Sequence, residues 1–205
     1  MQLYLTLNNF MNSNCVLILF VFIFSSIIAR GQTYEDQYEK YSQELKEMKV
    51  VDSTYFSLVK IRECALVGTF SPDFSGTTVD DEKISLSALK GRVVVLNFWF
   101  TKCAPCIQEM PYFNRLVDTF LNKDVTFISF APEETLKVKE FLSNHPFKFK
   151  NIANSEYVRR DLFKLFSIWP YTIIIDKEGK IAKMNFGLLD EESFYSYKTL
   201  LNSLL

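Results

Sequence analysis

Residues 93–106 read VVVLNFWFTKCAPC, and this stretch decides the fold. Val93 to Phe100 is a continuous apolar run of strand length, as expected of a central strand covered on both faces. A short loop follows, and Pro105 marks the first turn of a helix that starts near Ala104 or Pro105 and runs to about Leu121. Cys103 therefore sits at a helix N-terminus. Unpaired N–H groups and the helix dipole there favour an anion, which lowers a thiol pKa and makes the thiolate a nucleophile. Cys106, one helical turn on, comes within disulfide reach. The spacing points to a redox-active pair in which Cys103 attacks a substrate disulfide and Cys106 resolves the mixed disulfide.

Downstream, the periodicity alternates between strand and helix. Val125 to Ala131 (VTFISFA) reads as a second buried strand, Glu134 to Asn144 as a second helix and Ser155 to Ser167 as a third. Tyr171 to Asp176 and Ile181 to Phe186, joined by Lys177-Glu178-Gly179-Lys180, predict a hairpin. Asp190 caps a last helix that reaches the C-terminus. The order predicts an α/β fold with a central mixed sheet flanked by helices.

Other readings of the cysteine pair exist. Half a zinc site would need further ligands from Cys15, Cys64 and His145, none of which stands at ligand spacing with another. A purely structural disulfide across so short a loop would stabilise little. Two reduced core cysteines would leave the proline-marked helix start beside them unexplained. Cys64 reads as a small buried hydrophobe, and His145, before Pro146, as a capping or surface residue.

The chain has 205 residues, of which 48% are hydrophobic and 20 are Phe, enough for one substantial core. Its 23 basic and 24 acidic residues leave no basic patch, so nucleic acid is not an expected partner. Residues 15–29, CVLILFVFIFSSIIA, form an apolar run shorter than the roughly 20 residues of a membrane span. Ala29 at its end and Gly31 just after it are small residues, so residues 1–31 are expected to be a signal peptide cut before Gln32. Leu3, Leu5, Leu7 and Phe10, with no Lys or Arg in residues 1–14, keep open a retained membrane anchor. Residues 32–67 form an N-terminal helical extension, with one charged helix over Tyr34 to Arg62. Its stripe of Tyr34, Tyr38, Tyr41, Leu45 and Met48 is expected to pack on its own domain, a docking or dimerising role being the alternative. Residues 68–205 make up the main domain.

The block Asn97-Phe98-Trp99-Phe100-Thr101-Lys102-Cys103-Ala104-Pro105-Cys106, followed by Glu109-Met110-Pro111, resembles the active-site block of the TlpA/ResA-type thioredoxin-like proteins. The resemblance extends from Gly68 through Ser71-Pro72-Asp73-Phe74 and residues 84–91, then to Trp169-Pro170-Tyr171-Thr172 and residues 175–180. It implies a thioredoxin-like fold of the redoxin type and an extracytoplasmic thiol-disulfide oxidoreductase that needs no cofactor and no metal. It further implies that Pro170 is a cis proline facing the cysteines, with Trp169, Pro170, Trp99, Ala104 and Pro105 the substrate-contacting residues. Glu109 would be a partly buried carboxylate that tunes the pair and relays protons. Asn97 occupies the strand position where thioredoxins proper carry an aspartate, so the acid-base task falls to Glu109. Lys102 stands where many relatives have tryptophan, and Pro111 is expected to kink its helix.

The expected activity is reduction of a disulfide-containing protein substrate, with recharging by a membrane-bound or extracytoplasmic thiol donor. The location is periplasmic or otherwise extracytoplasmic, with residues 15–29 a tether if retained. A thiol peroxidase shares the fold, but its resolving cysteine usually lies far from the peroxidatic one. A Sco-like copper carrier uses a wider cysteine spacing plus a distant histidine, which His145 matches poorly.

Overall fold

In the computed structural model, residues 33–47 and 55–205 are described, all within the unit Gln32–Leu205. Two helices come first, α1 (Tyr34–Glu47) and α2 (Tyr55–Leu66). The strands β1 (Ser75–Thr77), β2 (Lys83–Ser85) and β3 (Val93–Phe98) follow, then α3 (Ala104–Thr119), β4 (Val125–Phe130) and α4 (Thr135–Asn144). The chain ends with β5 (Lys150–Ile152), β6 (Tyr171–Ile175), β7 (Ile181–Phe186) and α5 (Glu191–Leu204). Strands β1 and β2 form a small antiparallel pair, and the main sheet has the order β5-β4-β3-β6-β7. Both β4 and β5 run parallel to β3, whereas β6 pairs with it antiparallel, so the sheet is mixed as expected.

Every residue of β3 is buried, because each face of the sheet has its own cover. Side chains alternate along a strand. Val93 and Val95 thus enter one apolar cluster with Phe113 and Leu116 of α3, Val138 of α4, and Tyr197 and Leu201 of α5. Val94, Leu96 and Phe98 enter the other, with Tyr34 of α1 and Val59 and Leu66 of α2. The N-terminal helices therefore complete the core of the sheet domain. Phe113 has no exposed surface and packs against Phe149 at 5.2 Å and Tyr197 at 6.3 Å between ring centroids. Phe113→Ala is expected to lower unfolding stability by about 3–5 kcal/mol, measured by denaturant titration.

Several segments depart from the sequence expectations. The single helix expected over Tyr34 to Arg62 is folded back, since the Arg62 guanidinium lies 5.8 Å from the Tyr38 ring. A continuous helix would hold them about 36 Å apart at 1.5 Å per residue. Tyr34 is buried against the domain with Tyr38 beside it, and Tyr41 is buried, while the side chains of Leu45 and Met48 fall outside the described residues.

The third helix shrinks to a short turn containing the wide helical segment Val158–Leu162. Lys164 takes a left-handed backbone (φ 46°), and the Arg159 guanidinium bonds the Leu165 and Phe166 carbonyls, the latter also accepting the Ile168 N–H at 2.8 Å. Strands β1, β2 and β5 have three residues each and show too little alternation to be read from the sequence.

Other expectations hold. Helix α3 starts at Ala104 and ends at Thr119, close to the expected bounds. Asp190 caps α5: its carboxylate accepts the Ser193 N–H at 2.9 Å, and the Ser193 hydroxyl accepts the Asp190 N–H at 2.8 Å. The leader expected at residues 1–31 lies outside the described residues. Among those described, no helix is long and apolar enough to cross a membrane.

Candidate active site

Strand β3 ends at Phe98, and the turn after it delivers Cys103 to the N-cap of α3 with an extended backbone. Cys103 and Cys106 form a disulfide, their Cα atoms 5.2 Å apart. The Cys103 Sγ accepts the Cys106 N–H at 3.3 Å, so this sulfur receives one of the amides that a helix start leaves unpaired. Both sulfur-bearing residues are almost fully buried, whereas Lys102, Ala104 and Pro105 are exposed and form the rim. The turn is fixed by backbone and carboxylate together. Cys103 donates its N–H to the Phe100 carbonyl at 3.0 Å. Glu133 accepts from the Thr101 N–H at 2.9 Å and from its hydroxyl at 2.7 Å.

Nothing in the local sequence marked Glu133. It follows β4, the parallel neighbour of β3, and the carboxyl ends of parallel strands gather loop residues around one site. That topological rule was the available signal, but it needs the strand pairing first.

Glu109 lies one turn beyond Cys106 on the same face of α3, and both are buried. It is 1% exposed. Its Oε1 accepts from Asn97 Nδ2 at 2.8 Å and its Oε2 from the Leu189 N–H at 3.0 Å. Burial pushes the Glu109 carboxyl up to about 8, although the Leu189 and Asn97 hydrogen bonds pull the other way. Asn97 also donates to the Thr172 hydroxyl at 3.3 Å, tying β3 to β6 two residues after Pro170. Close by, burial and the Glu109 charge both raise the Tyr197 phenol above its ordinary value.

The Trp169–Pro170 bond is cis, as expected. The Pro170 carbonyl accepts the Gly187 N–H at 3.0 Å. The Trp169 ring meets Phe100 edge-on at 5.3 Å and lies under the Arg159 guanidinium at 5.0 Å. Trp169 is thus joined to the cysteine turn through Phe100.

Trp99, expected among the substrate-contacting residues, has no exposed surface. It is a core side chain behind the disulfide, with Nε1 donating to the Ser129 hydroxyl at 3.0 Å. His145 is exposed and caps α4, its N–H donating to the Phe141 carbonyl at 3.0 Å. Cys64, expected to be a lone buried thiol, is instead disulfide-bonded.

Residues 67–184 match the AhpC/TSA family. The thiol-disulfide oxidoreductase ResA of a Bacillus cereus strain is 34% identical over 139 residues, which is 66% of this chain and 79% of the relative. The thioredoxin-like protein YneN of Bacillus subtilis is 33% identical over 61% of this chain and 74% of its own length. A crystal structure of a thiol:disulfide interchange protein of the thioredoxin family from Chlorobium tepidum TLS superposes with a TM-score of 0.59. That likeness covers 67% of this chain and 96% of the other at 23% identity, and it shows the shared fold.

Proposed function

Because the chain belongs to the AhpC/TSA family and, within it, to the ResA-type thioredoxin-like thiol-disulfide oxidoreductases, we propose that its dithiol/disulfide cycle runs with Cys103 as nucleophile and Cys106 as resolving thiol, in the direction of protein-disulfide reduction. The observation that carries the assignment is the Cys103 sulfur at the α3 N-cap, accepting the Cys106 N–H. That placement stabilises a thiolate at Cys103 in preference to Cys106.

In the reduced enzyme, Cys103 thiolate attacks one sulfur of the substrate disulfide and the other leaves as a thiolate. Cys106 then loses its proton and attacks Cys103 Sγ. The second substrate thiolate leaves, and the enzyme disulfide forms. Two electrons pass from enzyme to substrate, and a thiol donor restores the dithiol. Glu109, on the Cys106 face of α3, takes the Cys106 proton. Trp169 and Pro170 present the substrate backbone, with Ala104 and Pro105 at the rim. A resolving cysteine one helical turn from the nucleophile supports this reading over a thiol peroxidase.

The location is extracytoplasmic, and the donor is a membrane-bound or extracytoplasmic thiol. The apolar run at residues 15–29, followed by Arg30 and Gly31, supports export, with tethering if that run is kept.

Alkylation of the reduced protein near neutral pH is expected to label Cys103 well before Cys106, read by peptide mass. The reduction potential is expected near roughly −250 mV, as for a reductase, and not near about −120 mV, as for a strong oxidant. Preferential labelling of Cys106 would reverse the two roles, and the higher potential would reverse the direction.

A further inference from the structure

Helices α1 and α2 precede the family match, which begins at residue 67. They nonetheless hold the segment that leads into Trp169–Pro170. The Tyr34 hydroxyl donates to the Phe163 carbonyl. Lys164 pairs with Glu35 and Glu39 of α1, although those carboxylates are exposed and such pairs contribute little. Arg62 of α2 matters more. Its Nη1 donates to the Lys164 carbonyl at 2.9 Å, and its guanidinium lies 3.8 Å from the Phe166 ring centroid. Arg62 is 3% exposed, and a cation so buried is tolerated only with partners around it.

The same segment is also held by Arg159, itself buried. Arg159 Nη1 donates to the carbonyls of Leu165 at 3.2 Å and Phe166 at 3.1 Å, while its Nε donates to Glu156 at 3.0 Å. Its guanidinium covers the Trp169 ring. Residues 163–166 thus lack regular secondary structure but are bonded both by α1 and α2 and by Arg159.

We propose that α1 and α2 are a clasp, with Arg62 as the positioning residue, which pre-orders the segment presenting Trp169–Pro170 and so sets affinity for a protein disulfide without entering the cysteine chemistry. The proposal rests on the reading of Trp169 and Pro170 as the substrate-presenting pair. Ordering an irregular segment at the moment of binding costs conformational entropy, which lowers affinity. A segment already held by the fold avoids that cost. A small disulfide that meets only the reactive sulfur gains nothing from it.

Arg62→Met keeps a long apolar side chain and removes the cation and its donated hydrogen bond. Tyr34→Phe removes one hydroxyl from the same clasp with less risk to folding. Both full-length variants are assayed with insulin and with oxidised glutathione. Acrylamide quenching of tryptophan fluorescence reports Trp169, because the other tryptophan, Trp99, is fully buried.

The expected result is a KM for insulin raised roughly fivefold, the size expected of one lost buried hydrogen bond. The insulin kcat and the glutathione rate stay unchanged, and Trp169 is quenched more strongly. An unchanged insulin KM in both variants, or equal losses on insulin and glutathione, would overturn the clasp. Trp169→Ala separates the two readings. If it raises the insulin KM while the clasp variants do not, the clasp fails alone. If it leaves the insulin KM unchanged, the presenting role of Trp169 fails whatever α1 and α2 do.

Discussion

A Cys103→Ser variant is expected to lose disulfide reduction by on the order of a thousandfold or more, while Cys106→Ser stalls with its substrate covalently attached. The two losses look alike in a turnover assay and differ in kind. Without the Cys103 sulfur there is no thiolate at the α3 N-cap to attack, and Cys106, inside the helix behind an exposed rim, is poorly placed to replace it. Without Cys106 the first exchange still occurs, but nothing attacks Cys103 Sγ from within the enzyme. The mixed disulfide then persists until an external thiol arrives. Non-reducing electrophoresis of Cys106→Ser from its native cells should show adducts that collapse on adding dithiothreitol. Adducts on Cys103→Ser, with none on Cys106→Ser, would exchange the roles.

Glu109→Gln is expected to slow the resolving step by about a hundredfold, the usual scale of a lost general base. It should also change the pH dependence. With its carboxyl at about 8, Glu109 is mostly protonated at neutral pH and gains base form as pH rises. The wild-type resolving rate should therefore climb through that region, and the variant should lack this limb. Rapid-mixing kinetics across pH would show it. An identical profile would remove Glu109 from the proton path.

Stability supplies a second readout of Glu109. The folded carboxyl is raised above its unfolded value, so the native state holds the extra proton between about 4.5 and about 8. Stability from this group is therefore full below that window and falls as pH rises through it, by several kcal/mol at most. Glu109→Gln keeps a neutral side chain at every pH. Its denaturation midpoint should lose less than that of the wild type between neutral and alkaline pH.

Both predictions concern residues visible in the chain, yet they were visible to different degrees. Cys103 could be placed because the apolar run before it and Pro105 after it mark a strand end and a helix start at short range. Glu109 was marked by resemblance alone. Its raised pKa comes from burial under the folded chain, and the partners that hold it there are Leu189, 80 residues away, and Asn97 from another element. Glu133 and Arg159 carried no periodic or motif signal. One holds Thr101 across 32 residues, and the other holds Trp169 from a turn that the sequence presented as the middle of a longer helix.

The sequence by itself determined the central strand, the redox pair at a helix start, the hairpin after Pro170 and the Asp190 cap. Each follows from contacts within a few residues: alternation on a strand, unpaired amides at a helix end, and a side chain folded back on its own turn. Only the tertiary structure decided that α2 folds back over the sheet and that the third helix gives way to carbonyls bonded by Arg159. It also placed Trp99 wholly in the core and, by burial, raised the Glu109 carboxyl to about 8. Those outcomes turn on burial and on hydrogen bonds between distant segments, whose energies exist only once the chain has folded.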